Sequence, residues 1–472
     1  MRAIERSIRK SLFVLGVAAW WLFRLDVPAQ AVDITVDEMQ RLASPLVDSG
    51  RIAGLSLGVI HGERELKLHL GHRDPVGQVA NDATIYEIGS ITKVFTATLL
   101  ASLIDHGVIG LEDPAFSDES KLKVPAKVGS RVTWKHLATH RSGFPRLAGN
   151  MRDVSGRDPY ARETSDRVAI FLRSLNLKRD PGRAYAYSNL GFAVLGYRVG
   201  EVAGKSYEDL LLERVTGPLG MRDTRVNLND EQENRFATPF AGGKPVSSWT
   251  FADMPGAGGI RSTLPDMMRF ARAALNPPDN PTGNAIELTF QKHQTGGPRG
   301  FSMGLGWHLA RDLQTRWHNG ETGGFHSALF VNRSMKAGVV ILANSSNGSV
   351  VDVLAEQLMQ TMAGRKMKPQ EFDREIQVPL ENKRRLIGRY QLVENFVFDV
   401  HLRGDEVWVG ITNQPTQQVF AKSQAEWFYR SVDATLVFEL GETGKTSALV
   451  LHQNGLKQRA EYIGKSLLQS DH

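Results

Sequence analysis

The chain has 472 residues, a net charge of +6, 41% hydrophobic and 23% charged residues. That length exceeds one ordinary domain, and that balance is the composition of a folded globular protein, which excludes a disordered or fibrous chain. The sequence has no cysteine, which excludes disulfides, thiolate metal sites, a cysteine nucleophile and a lipidated cysteine.

The first 31 residues stand apart from the rest. A basic start, MRAIERSIRK, precedes an uncharged apolar run from Ser11 to Phe23, and an Ala29-x-Ala31 pattern precedes Val32. This order reads as a secretory signal peptide and predicts a periplasmic or secreted bacterial protein. The apolar run is 13 residues, short for a bilayer span. Arg24 and Asp26 make its far end polar and leave an uncleaved N-terminal membrane anchor as the alternative. The segment carries five Lys/Arg and two Asp/Glu, so the remainder keeps only +3. With no dense basic stripe interleaved with aromatics, nucleic-acid binding is not expected. No later segment reaches the ~18 apolar residues of a further span.

Residues 36–49 read as a helix. GLSLGVI and ELKLHLG alternate like two strands joined by HGER. A strongly apolar helix follows from Ser90, and TWKHLATH, RVAIFLRSL, LGFAVLGYRVGEVAG and LPDMMRFARAAL continue a mostly helical middle. Then come the strand-like GLGWHLA, TRWHNG, FHSALFVN and GVVILANS, and the helical VDVLAEQLMQTMAG. Strands, a helical middle, strands and a closing helix predict an α+β domain with an antiparallel sheet, flanking helices and a helical insertion, over residues 32–365. A polar linker over 366–382 leads to short, regularly spaced strands with Gly, Asn or Asp turns: RYQLVE, FVFDVHL, EVWVGIT, EWFYRS, TLVFELG and ALVLHQNG. These predict a small all-β barrel or sandwich over 383–472.

The helix from Ser90 raises a question of charge. Val94, Phe95, Leu99, Leu100, Leu103 and Ile104 cover most of its circumference, so it is buried, yet Lys93 sits in its first turn. Burying an ammonium is costly unless it is paired or loses its proton. Positions three apart share a helix face, so Ser90 and Lys93 can touch. A desolvated lysine has a lowered pKa and can take the serine proton, creating a nucleophile beside a helix N-terminus that favours negative charge. Ser-x-x-Lys is a weak pattern alone. It recurs at Ser7/Lys10 and Ser120/Lys123, where the contexts are the leader and a polar, proline-containing stretch, and a capping serine with a snorkelling lysine is the plainer explanation.

Two further elements strengthen the chemical reading. Tyr187-Ser188-Asn189 is the single Tyr-x-Asn, and in an extended segment its phenol and carboxamide share one side. Tyr187 could shuttle a proton, and Asn189 could hold Lys93 or a substrate amide. In HNGETGGFHS, His318-Asn319-Gly320 precedes a strand, and the backbone N–H of Glu321 is a candidate second oxyanion donor beside that of Ser90. His136 and His140, spaced i, i+4, lack the glutamate of a metalloprotease motif and read as structural; GAGG at 256–259 reads as a tight turn. Lys127-x-Gly129 and Lys336-x-Gly338 read as polar turns. No metal or cofactor is expected.

Together Ser90-x-x-Lys93, Tyr187-x-Asn189 and His318-x-Gly320 resemble the three motifs of the serine β-lactamase and penicillin-binding superfamily, in its class C-like branch, which includes DD-carboxypeptidases, D-aminopeptidases and esterases. LATHRSGFP, PGRAYAYSN, GPLGMRDT and GAGGIRSTLPDMMRF extend the likeness across residues 36–363. The resemblance implies Ser90 as nucleophile, Lys93 as its base and Tyr187 as proton shuttle, with Lys and Tyr both candidates for the base. Asn189, His318, Gly320 and Glu321 then bind a small-molecule or peptidoglycan-peptide substrate. His318 departs from the lysine that lactam-hydrolysing members usually carry. This favours an ester, amide or D-amino-acid peptide over a penicillin, and leaves a non-catalytic cell-wall sensor as the second reading.

Overall fold

The computed structural model describes residues 33–151, 158–297, 300–412, 414, 416–430, 432, 434–441, 446–453 and 455–468. The leader reading of residues 1–31 lies outside them. Two compact units emerge: the first takes in residues 52–370 with the stretch before Asp48, the second Glu371–His472 with Asp48–Arg51. Residues 371–382, read from sequence as linker, therefore belong with the second unit, where the Ile376 N–H donates to Ala421 O at 2.8 Å. Among the described residues no helix is long and apolar enough to cross a membrane.

In the first unit, α1 (Val36–Asp48) buries Met39, Leu42, Ala43 and Leu46, the three-and-four spacing of an amphipathic helix. Strands β1 (Gly54–His61) and β2 (Arg64–Gly71) form the expected hairpin. Short β3 (Ile85–Glu87) leads into a 3₁₀ turn at Gly89–Ile91 and then α2 (Thr92–Asp105). The middle supplies α3 (Trp134–Ala138), α4 (Ser165–Arg173) and α5 (Asn189–Ala203). Next come β4 (Arg261–Thr263), which pairs with β3, α6 (Leu264–Leu275) and α7 (Pro281–Phe290). The chain then returns to the sheet through β5 (Ser302–Met303), β6 (His308–Leu309), β7 (Thr315–Glu321), β8 (His326–Asn332) and β9 (Ala337–Ala343), and closes with α8 (Gly348–Met362).

The sheet order is β2-β1-β9-β8-β7-β6-β5, with antiparallel neighbours throughout. Strands β8 and β9 are buried along their whole length, so both faces are covered; α6 and α8 both pack on them. Helix α2 is buried nearly all round, as its apolar run requires, between α5 and α7. Phe95 of α2 stacks on Phe270 of α6 with ring centres 4.3 Å apart.

The second unit is a closed barrel of eight strands, each paired with its neighbour in sequence: β10 (Gly388–Val393), β11 (Phe396–Arg403), β12 (Glu406–Ile411), β13 (Gln417–Ala421), β14 (Glu426–Phe428), β15 (Ala434–Leu440), β16 (Thr446–Gln453) and β17 (Leu456–Gly464). Pairing of β10 with β17 closes it, and Tyr390, Phe398, Val400, Leu436, Phe438 and Leu449 fill the interior. Six of these strands are visible as patterns in the sequence; β13 and β17 are not.

Candidate active site

The site starts from backbone geometry around Ser90. Gly89 adopts φ +49°, a left-handed conformation that favours glycine, and a Cβ there would lie 2.7 Å from Glu321 N. Gly320 has no room either, since its Cβ would fall 2.0 Å from Ile88 O. The Ser327 hydroxyl donates to that same Ile88 oxygen at 2.8 Å. Two glycines thus let the 3₁₀ turn and β7 pack backbone against backbone. The peptide groups of Ser90 and Glu321 come into one neighbourhood, as the oxyanion reading requires. The third motif lies near the end of β7 and ahead of β8, in the TRWHNG strand and before the FHSALFVN strand read from the sequence.

Lys93 is fully buried, and its Nζ stands 2.9 Å from Ser90 Oγ. It also donates to Ala257 O at 2.6 Å. Two more bonds fasten the first turns of α2 to the same segment: the Thr96 hydroxyl donates to Gly256 O at 2.7 Å, and the Ile260 N–H donates to the Thr92 hydroxyl at 3.2 Å. The segment read as a tight turn is therefore the wall that holds the lysine. Gly256 is essential to its approach, because a Cβ there would meet Phe192 O at 2.7 Å. Burial, and then the charge of Arg146, push Lys93 well below its usual value, while Glu163 pulls the other way. A neutral amine keeps two N–H donors and one lone pair, so Ala257 O can take a donor while the lone pair faces the Ser90 hydroxyl.

The sequence reading left Asn189 to hold either Lys93 or a substrate amide, and the structure corrects the first of these. Ala257 O and Ser90 Oγ are the partners; Tyr187 presents its ring, with Lys93 Nζ 5.0 Å from the ring centre. Asn189 begins α5, and its Nδ2 donates to the Tyr160 hydroxyl at 2.6 Å. Its Oδ1 is buried with no partner among the described residues, which leaves an acceptor free for a substrate N–H. Burial pushes the Tyr187 phenol up to about 12, with a hydrogen bond from Ser90 and the Arg146 charge opposing.

His140 positions the tyrosine. Its ring stacks on that of Tyr187 at 4.3 Å, its Nδ1 accepts the Ser188 N–H at 3.1 Å, and its backbone takes φ +57° to do so. The i, i+4 partner, His136, instead caps α3 with Thr133, so the two histidines do different structural work.

His318 is buried. Its Nδ1 lies 2.6 Å from Asn319 O. A carbonyl only accepts, so Nδ1 carries the proton and Nε2 is a bare acceptor, without a partner among the described residues. His308 stacks on it at 4.8 Å. Burial, then the neighbouring His308 and Lys93 charges, push His318 well below 6.5, so this corner carries no positive charge at neutral pH. Behind it, His326 Nε2 donates to Asp352 Oδ1 at 3.0 Å and Asn319 Nδ2 to Asp352 Oδ2 at 2.8 Å. Glu163, buried with both oxygens unpartnered among the described residues, is pushed up to about 8 by desolvation. Ala257, His140, Arg146, Tyr160 and Glu163 went unmarked as site residues in the sequence. Only the flanking words LATHRSGFP and GAGGIRSTLPDMMRF pointed near three of them.

Comparison with known proteins places the chain in a family. A beta-lactamase family model matches residues 39–361. The D-alanyl-D-alanine-carboxypeptidase/endopeptidase AmpH of Escherichia coli K12 is 28% identical over 333 residues, 66% of this chain and 86% of AmpH. Protein flp of Staphylococcus aureus MRSA252 is 27% identical over 344 residues, 69% of this chain and 66% of flp. A solved class C beta-lactamase shares the fold with a TM-score of 0.63 at 20% identity, covering 70% of this chain and 97% of that one. The chain belongs to the beta-lactamase family, in the class C-like branch of the serine β-lactamase and penicillin-binding superfamily of serine hydrolases.

Proposed function

We propose that this protein is an exported serine hydrolase that cleaves an ester, an amide or a D-amino-acid peptide through an acyl-enzyme at Ser90. The observation that carries the reading is the 2.9 Å contact between Ser90 Oγ and the fully buried, desolvated Lys93 amine. Lys93 takes the Ser90 proton as Oγ attacks the carbonyl carbon. The backbone N–H groups of Ser90 and Glu321 receive the oxyanion. Tyr187, neutral because its phenol titrates near 12, delivers a proton to the departing alkoxide or amine and is reprotonated from Lys93. Water then attacks the ester of Ser90, its proton returns along the same route, and the acid product leaves. A lysine lowered and a tyrosine raised divide the work, with Lys93 as the base and Tyr187 as the acid.

AmpH is by its name a D-alanyl-D-alanine carboxypeptidase and endopeptidase, which supports an acyl-D-alanyl peptide as the natural substrate class. The basic start, apolar run and Ala29-x-Ala31 support export to the compartment where such peptides occur. A neutral His318 leaves the third motif without the cation that a substrate carboxylate would otherwise meet there.

The test is release of p-nitrophenol from a short-chain ester, followed by D-alanine release from an acyl-D-alanyl-D-alanine peptide, with the Ser90→Ala protein alongside. Repeated turnover by the intact protein and none by the variant is expected. Equal rates in the two proteins would remove Ser90 from the chemistry. A single stoichiometric acylation without turnover would instead identify a sensor.

A further inference from the structure

We infer that Arg146 reads the negative charge of the substrate in place of the third-motif cation that β7 lacks. The inference rests on the serine hydrolase reading and narrows its substrate to acyl compounds bearing a carboxylate.

Positive charge survives in few places around the nucleophile. Lys93 is buried and lowered, and His308 and His318 are both pushed down, His308 to about 3. At the end of β7 Glu321 is exposed; Arg316, near the start of the strand, donates to Phe290 O, Leu313 O and Gln314 O, and His326 behind the site is paired with Asp352. Nearby arginines are spoken for. Arg141 donates to Gly182 O and Thr295 O, and Arg261 to Val226 O and Trp249 O. Arg146 differs from both. Its side chain is exposed, and among the described residues no carboxylate pairs with it.

Its position is nonetheless fixed. The backbone oxygen of Arg146 accepts the N–H groups of Asn189 and Leu190, at 3.0 and 3.1 Å, which are the first of α5. The preceding Pro145 O accepts the Ser188 hydroxyl at 2.7 Å. The loop is thus bonded directly to the segment that carries Tyr187 and Asn189. From there the guanidinium reaches over the Tyr187 ring, with Cζ 5.3 Å from the ring centre. Lys93 Nζ contacts the same ring at 5.0 Å. The Arg146 charge therefore lies within about one Debye length, roughly 8–10 Å, of the nucleophile's base. Its field is felt by Lys93, His140, Tyr160, Tyr185 and Tyr187. A planar guanidinium whose N–H groups have no carboxylate partner among the described residues, fixed at the lip of the site, matches a carboxylate in two-pronged geometry.

The test compares acyl-D-alanyl-D-alanine with its C-terminal amide. The wild-type protein is expected to prefer the carboxylate in kcat/KM. Arg146→Gln should reduce the carboxylate-to-amide ratio about tenfold or more, whatever happens to the absolute rates. Arg146→Lys, which keeps the charge but loses the two-pronged geometry, should retain only part of the ratio, between wild type and Arg146→Gln, and added salt should erode the ratio in the wild type but not in Arg146→Gln. The same pair of compounds is titrated by calorimetry into Ser90→Ala and into Ser90→Ala/Arg146→Gln. The first should bind the acid more tightly than the amide, and the second should bind both alike. Equal ratios in wild type and Arg146→Gln, or no preference for the acid in either assay, overturns the inference. If Ser90→Ala still hydrolyses, the serine reading fails, while the calorimetric preference continues to judge Arg146 independently.

Discussion

Lys93 and His326 make a natural comparison. Both are basic side chains with almost no solvent contact, one behind the nucleophile and the other behind the third motif. Lys93 meets a neutral carbonyl, a hydroxyl and an aromatic ring, with no carboxylate bonded to it among the described residues, and it is driven towards the neutral amine. His326 meets Asp352 at 3.0 Å, and the carboxylate outweighs desolvation, so the imidazole is raised above 6.5. Burial sets the cost of charge, but the partner decides which form is kept. The uncompensated site becomes chemistry; the compensated one becomes a brace that holds Asn319 beside His318 and Gly320.

The sharpest way to break this contrast is at the first site. Ser90→Ala or Lys93→Met should lower kcat/KM by about 10⁴-fold or more, measured with the best ester found. Lys93→Met should also be more stable than wild type at neutral pH. Below the ordinary lysine value of 10.5 the unfolded wild-type chain gains a proton that its folded form refuses, so the gap should close as pH rises towards that value. At the second site, Asp352→Ala should cost about 3–5 kcal/mol in urea unfolding, because it strands a buried imidazole and the Asn319 amide. The wild-type contribution of this pair should be complete below pH 6.5 and be lost as pH rises through the raised His326 value, and Asp352→Ala should lack that loss.

The pH profile gives a smaller but direct check. Activity should fall on the acid side about tenfold per unit below the lowered Lys93 value. A rise in activity centred near 10.5 would mean that Lys93 is not desolvated, and the comparison would fail. His140→Leu should cost about 1–3 kcal/mol through the stranded Ser188 N–H and reduce kcat more than it raises KM, since Tyr187 loses its stacking partner. Smallest of all, Tyr390→Phe in the barrel should cost about 1 kcal/mol, the value of its hydrogen bond to Leu386 O.

The local parts of this account were legible in the sequence. A serine and lysine three apart at the head of an all-apolar helix, a Tyr-x-Asn and a Gly-rich strand end carry their geometry in their spacing. The partners were not legible, because they are set by long-range packing. Ala257 O meets Lys93 across 164 residues, and a carbonyl oxygen leaves no mark in residue type. Asn189 was left open between Lys93 and a substrate for a related reason, since spacing cannot tell whether an amide faces a lysine or the Tyr160 hydroxyl. In the barrel, QQVFA and LKQRAEYIG were missed because neither alternates: the second buries only Ala460 and is otherwise largely exposed.

That last strand carries a consequence for handling the protein. Leu456–Gly464 pairs with β16 on one side and β10 on the other, and so leaves the barrel without an open flank. Trimming the polypeptide ahead of Leu456 would uncover two rows of backbone donors and acceptors at once, on β10 and on β16. Such rows recruit strands from neighbouring molecules. A shortened version made for convenience would therefore be expected to precipitate or form soluble aggregates, even with every side chain of the hydrolase site intact.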